Sequence, residues 1–92
     1  MHPATAPRAR ALAARLRRLE ALVSAGGYEV RYGRGRFRAG ACLVHERRIV
    51  VMNRYSDPEA RVRALEALAP TLAIAPDDLD GAARALLTEL RG

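Results

Sequence analysis

The chain contains no lysine, no tryptophan and one cysteine, and its 92 residues include only three tyrosines and one phenylalanine. Each shortage excludes something. A lone Cys42 forms no intramolecular disulfide and cannot build a four-cysteine zinc site; the usual setting of such a chain is a reducing compartment. With so few rings, the core has to come from Leu, Val, Ile and Ala. Arg10, Arg15, Arg17 and Arg18 interrupt the first segment, so no apolar run suffices for a signal peptide or a membrane span. The expectation is a cytoplasmic protein with no membrane contact. The absence of lysine reads as codon bias and is silent about ligands. The P-loop and dinucleotide-binding fingerprints are missing too, since Gly33-x-Gly35 alone is too common to count.

The length predicts a single domain over residues 1–92 that buries roughly 60–65% of its unfolded surface. The net charge of +6 is unevenly placed: residues 1–54 hold twelve arginines against Glu20, Glu29 and Glu46, while residues 55–92 hold four arginines against seven acids. A positive half of this kind suits nucleic acid or an acidic partner, and the opposed halves suit pairing between copies.

Leu12, Leu16, Leu19, Leu22 and Val23 recur at helical spacing, predicting a first helix from a Thr5 N-cap to Gly26-Gly27. Tyr28 to Tyr32 alternates as a strand, and Gly33-Arg34-Gly35 breaks it. A hairpin is expected from Ala41 to His45, a Glu46-Arg47 turn, and Arg48 to Asn53. The continuous run Ile49-Val50-Val51-Met52 suits a central strand. Ser56 and Glu59 read as a capping box, with Asp57 and Pro58 favourable in the first turn, for a helix that buries Val62, Leu65, Leu68 and Ala69 and stops at Pro70. Leu72 and Ile74 are expected to pin the linker. A last helix begins in the Asp77 to Asp80 region, with Leu79, Ala83, Leu86, Leu87 and Leu90 in register. The predicted fold is α+β: a small three-stranded antiparallel sheet in α-β-β-β-α-α order with helices packed on it.

The segments GACLVHERRIVVMN and SDPEARVRALEALAP, in that order, resemble the front half of zincin-like peptidases of the ImmA/IrrE type, and also small bacterial proteins sharing the hairpin and cap. The resemblance implies a fold. In those peptidases the helix after the hairpin carries H-E-x-x-H, and Glu66-Ala67-Leu68-Ala69-Pro70 stands in that place here, without either metal-binding histidine or the catalytic glutamate. Two zinc ligands four apart on one helix face are what the motif supplies, and Glu66 and Pro70 do not supply them.

The remaining candidates have plainer explanations. Cys42 and His45 have C-x-x-H spacing, but three residues apart on a strand they point to opposite faces, leaving a buried Cys42 and an exposed or turn His45. As bases for a Cys42 nucleophile, neither His2 nor His45 has a clear route. Asp77, Asp78 and Asp80 read as helix capping rather than a cation site. Catalytic, cofactor and metal residues are therefore expected to be none, and the protein is read as a non-enzymatic interaction or scaffold protein with a protein partner. Its expected contacts are Arg31, Arg34, Arg36, Phe37 and Arg38 and the open edge of the sheet. The alternative is nucleic-acid binding by the same basic segment, with Tyr28, Tyr32 and Phe37 as stacking surfaces. Two states are compatible with this pattern: a homodimer through the sheet edge or through Leu86 and Leu90, and a monomer that consumes those leucines in its own core.

Overall fold

The computed structural model describes residues 5–92. The side chain of Thr5, expected as a cap, and His2 lie outside what is described. Helix α1, Thr5–Ala25, is followed by β1, Glu29–Gly33, β2, Gly40–Val44, and β3, Arg47–Asn53; then come α2, Pro58–Leu68, 3-10 turns at Ala69–Thr71 and Pro76–Asp78, and α3, Gly81–Arg91. The class is α+β, with three helices and one three-stranded sheet.

The sheet is mixed rather than antiparallel. Its order is β1-β3-β2, with β3 antiparallel to β2 and parallel to β1. The strand with the continuous Ile49-Val50-Val51-Met52 run takes the centre, where both its edges are paired, and the hairpin turn places β2 on one side only. A meander would have put the exposed Cys42 strand in the middle. Instead the 34–39 segment crosses two strand spacings, roughly 10 Å, to start β2 beyond the place β3 fills. Residues 34–46, β2 included, form the long connection that parallel neighbours require.

The hairpin turn lies one residue earlier than the spacing suggested. Val44 pairs with Arg47, and His45 and Glu46 between them have φ of 50° and 66°. Two left-handed residues match the twist of the strands they join, and histidine enters that region more readily than most side chains.

Helix α1 ends in two glycine-dependent steps. Gly27, at φ 94°, donates to the Ser24 carbonyl (3.1 Å) and Tyr28 donates to the Val23 carbonyl (3.1 Å), a Schellman closure that turns the chain into β1. Gly26 is needed for space, because Ile74 lies directly against it.

The cap of α2 is Asp57, not Ser56. The Asp57 carboxylate accepts from the Ala60 N–H at 2.8 Å, and Glu59 instead pairs with Arg8 at 3.0 Å. This choice puts Pro58 at the first helical position, where its missing N–H costs nothing, and an anion at the positive helix end. Asp57→Ala is therefore expected to cost about 1 kcal/mol, within the 0.5–2 range of N-caps, while Ser56→Ala is close to neutral. Urea denaturation of both variants checks the assignment. Asp80 caps α3 in the same way, accepting from the Ala83 N–H at 2.8 Å, so the last helix starts at Gly81 after a separate 3-10 turn.

Leu19, Leu22, Val23, Val50, Met52, Val62, Leu65, Ala69, Leu72, Ile74, Leu79, Leu86 and Leu87 form one buried cluster, with Leu12, Leu16, Leu68, Ala83 and Leu90 packed around it. Helix α1 packs on α2, α3 and β1. The charge contrast between the two halves is met within the chain: Arg15 reaches Glu66 on α2 at 2.8 Å and Glu89 on α3 at 3.5 Å.

Candidate interaction surface

The register assigns the strand residues to two faces. Val50 and Met52 point to the helices together with Val30, Tyr32, Ala41 and Leu43; Glu29, Arg31, Ile49, Val51, Cys42 and Val44 share the other face. On that second face the Phe37 ring folds back over the sheet. A Cβ built on Gly33 would lie 3.2 Å from Phe37 Cζ and 3.8 Å from Val51 Cγ1. Asn53 pins the loop that carries the ring, its Nδ2 donating to the carbonyls of Gly35 (2.9 Å) and Phe37 (3.1 Å) while its Oδ1 accepts from the Tyr55 N–H (2.9 Å). Sequence reasoning passed over Asn53, which is the only asparagine of the chain and stands at the end of the central strand.

The expected contact residues separate into two sets. Arg31 is engaged, its Nε 3.0 Å from Glu29, which also takes Arg47 at 3.2 Å. Arg34, Arg36 and Arg38 are exposed, and none of them enters an ion pair or side-chain hydrogen bond among the described residues. Phe37 stands among them, 36% exposed.

The tyrosines do not join this set. Tyr28 and Tyr32 turn to the helix side, which corrects the stacking surface expected of them. The Tyr28 hydroxyl accepts from the Ala73 N–H (3.0 Å) beneath the Arg48 guanidinium, 5.7 Å from the ring centre. Tyr32 donates to Glu20 at 2.5 Å, with Arg61 4.8 Å above its ring. Burial first, then the hydrogen bond and the negative charge of Glu20, hold the Tyr32 phenol up at about 12 against the opposing pull of Arg61. Because the unfolded phenol ionises near 10, this contribution to stability is complete below pH ~10 and is lost as pH rises toward 12. An absorbance titration of the folded protein is expected to show a tyrosine step near pH 12 that vanishes in Tyr32→Phe.

Strand β2 is the least covered element. From Ala41 onward every residue is exposed, including Leu43 at 67% and Val44 at 44%. Cys42, expected to be buried, is exposed with them, because its pairing with Ile49 turns it to the face of the sheet that the helices do not cover. His45 sits in the turn, so the C-x-x-H pair shares no site. Beside β2, between β3 and the end of α2, a groove of about 490 Å³ is lined by Ala39, Met52, Ala64, Ala67 and Leu68 among others.

The other chemical candidates serve the fold. Glu66 accepts from Arg15 Nε and Nη2 (3.1 and 2.8 Å), tying α1 to α2 where the peptidase motif would stand. Asp80 is a cap, and Asp77 and Asp78 belong to the 3-10 turn. Among the described residues, no three His, Cys, Asp or Glu side chains are grouped to hold a metal ion. No described helix is long and apolar enough to cross a membrane. Comparison with protein-family models, curated proteins and solved structures finds no match.

Proposed function

We propose that this is a cytoplasmic, non-enzymatic interaction protein that binds a protein partner along the β2 edge of its sheet. The observation that carries this reading is the state of β2: a five-residue strand with no charged side chain, exposed on both faces, with one edge unpaired among the described residues. Edge strands are ordinarily blunted by lysine, proline or a covering loop, and an unblunted edge is a template for adding a strand. The side chains with reactive chemistry support binding rather than turnover, since Tyr32, Glu20 and Glu66 are taken up in structural contacts and Cys42 and His45 stand apart.

The test is site-specific photocrosslinking in the protein's own cells. Leu43→benzoylphenylalanine is expected to yield a discrete protein adduct on irradiation, and Arg17→benzoylphenylalanine, exposed on α1, is expected to yield none. Absence of an adduct from position 43 contradicts the reading.

The exposed Arg34, Arg36 and Arg38 around Phe37, which enter no ion pair among the described residues, favour a second reading, binding to nucleic-acid phosphates. It requires affinity for DNA or RNA oligonucleotides that falls steeply with salt, and a shallower salt dependence when the three arginines become alanine. Anisotropy titrations at low salt that show no binding dispose of it.

A further inference from the structure

We propose that the partner of β2 is a second copy of this chain, joined edge to edge and antiparallel about a twofold axis through Cys42. This rests on the preceding assignment of β2 as the contact and adds what occupies it.

The main-chain directions come first. A two-residue turn makes Val44 and Arg47 a pair that exchanges both hydrogen bonds, and the pattern alternates along an antiparallel ladder. Gly40, Cys42 and Val44 therefore point their N–H and C=O groups at β3, while Ala41 and Leu43 point theirs outward. A partner strand has to set outward residues against outward residues. One self-pairing register does this with all five residues used: Gly40 opposite Val44 of the second copy, Ala41 opposite Leu43, and Cys42 opposite itself. The two Ala41–Leu43 pairs then exchange four main-chain hydrogen bonds. A slip of one residue opposes outward to inward groups, and a slip of two leaves strand residues unpaired.

The side chains suit the same register. Each large residue meets a small one, Leu43 against Ala41 and Val44 against Gly40. Nothing lies within 4 Å of a Cβ built on Gly40, so there is room for the valine. Leu43 of the second copy falls on the face that carries the groove beside Ala39 and Met52. Just beyond the strand, the segment carrying Arg38 runs beside the turn carrying Glu46 of the second copy, at both ends of the pair. Both residues are exposed, and neither makes an ion pair among the described residues. The alternative contact through Leu86 is closed, because Leu86 lies in the core.

So short a contact belongs with weak interfaces, which places dimerisation between micromolar and millimolar protein. Sedimentation equilibrium of the full chain under reducing conditions over that range is expected to reach twice the chain mass. Arg38→Glu and Glu46→Arg each place like charges at both ends and are expected to weaken the dimer about tenfold, while the combined variant restores it. Leu43→Pro removes an outward N–H without touching the ladder to β3 and is expected to be monomeric, its fold verified by circular dichroism. Chain mass at millimolar wild-type protein overturns the proposal, as does a dimer indifferent to Arg38→Glu, Glu46→Arg and Leu43→Pro. A monomer in solution together with a position-43 adduct of another mass in cells overturns the second copy and leaves the β2 contact standing.

Discussion

Leu65→Ala is expected to destabilise the protein by about 2–5 kcal/mol, the cost of losing a buried isobutyl group and leaving a cavity. Leu65 is completely buried, with Val62 one turn before it on α2 and the sheet residues Val50 and Met52 in the same cluster. In a domain of this size the loss is a large share of a total stability of roughly 5–14 kcal/mol. A urea titration is expected to show the midpoint falling with little change of slope, as for a change in stability rather than in denatured-state compactness. A neutral result at this position would mean that α2 presents another face to the core.

Gly26→Ala has the second largest expected effect, and its sign is the informative part. Gly26 has no left-handed φ, so on backbone grounds alanine is harmless there and even reduces the freedom of the unfolded chain. Space decides otherwise. The new methyl would lie 2.6 Å from Ile74 Cγ1 and 2.9 Å from Ile74 Cγ2, well inside the 3.5–4 Å separation of carbon contacts. Ile74 is buried and branched at Cβ, so it has no free rotamer to swing into, and overpacking is expected to cost about 1–3 kcal/mol. In an Ile74→Ala background the same Gly26→Ala change is expected to become neutral or stabilising. Additivity of the two substitutions in thermal denaturation would contradict the close approach.

These two positions mark what patterning reveals and what it hides. Helical spacing identified Leu65, and likewise Leu19 and Leu22, because burial of a stripe leaves a period in the chain, while Leu72 and Ile74 stood out as the apolar residues of a linker. It was silent on Gly26 and Ile74 as neighbours, since they are 48 positions apart and only the packed linker joins them. The apolar run of β3 announced a central strand, yet the direction of β1 beside it was hidden. A strand's own sequence carries its faces but not the sign of its partner, and here the sign follows from a connection that crosses beyond β3. Asp57 and Ser56 are equally good caps by residue type, and the position of Pro58 decides between them. At the candidate surface, the exposed arginines were legible from charge. The withdrawal of Tyr28 and Tyr32 was not, because alternation gives two faces without saying which one the helices cover.

The edge of β2 joins the fold to the proposed function. The His45–Glu46 turn sets which amides face outward, the small residues Gly40 and Ala41 leave room along the edge, and Arg38 and Glu46 flank it. Residue-resolved amide exchange with concentration tests this directly. In dilute protein the Ala41 and Leu43 amides are expected to exchange far faster than that of Cys42, which bonds to β3. At millimolar protein Ala41 and Leu43 are expected to become protected, while Arg34 and Arg36 stay unchanged. Uniform protection along β2 in dilute protein, or no gain of protection at Ala41 and Leu43 at high concentration, would contradict an open edge that pairs with a second copy.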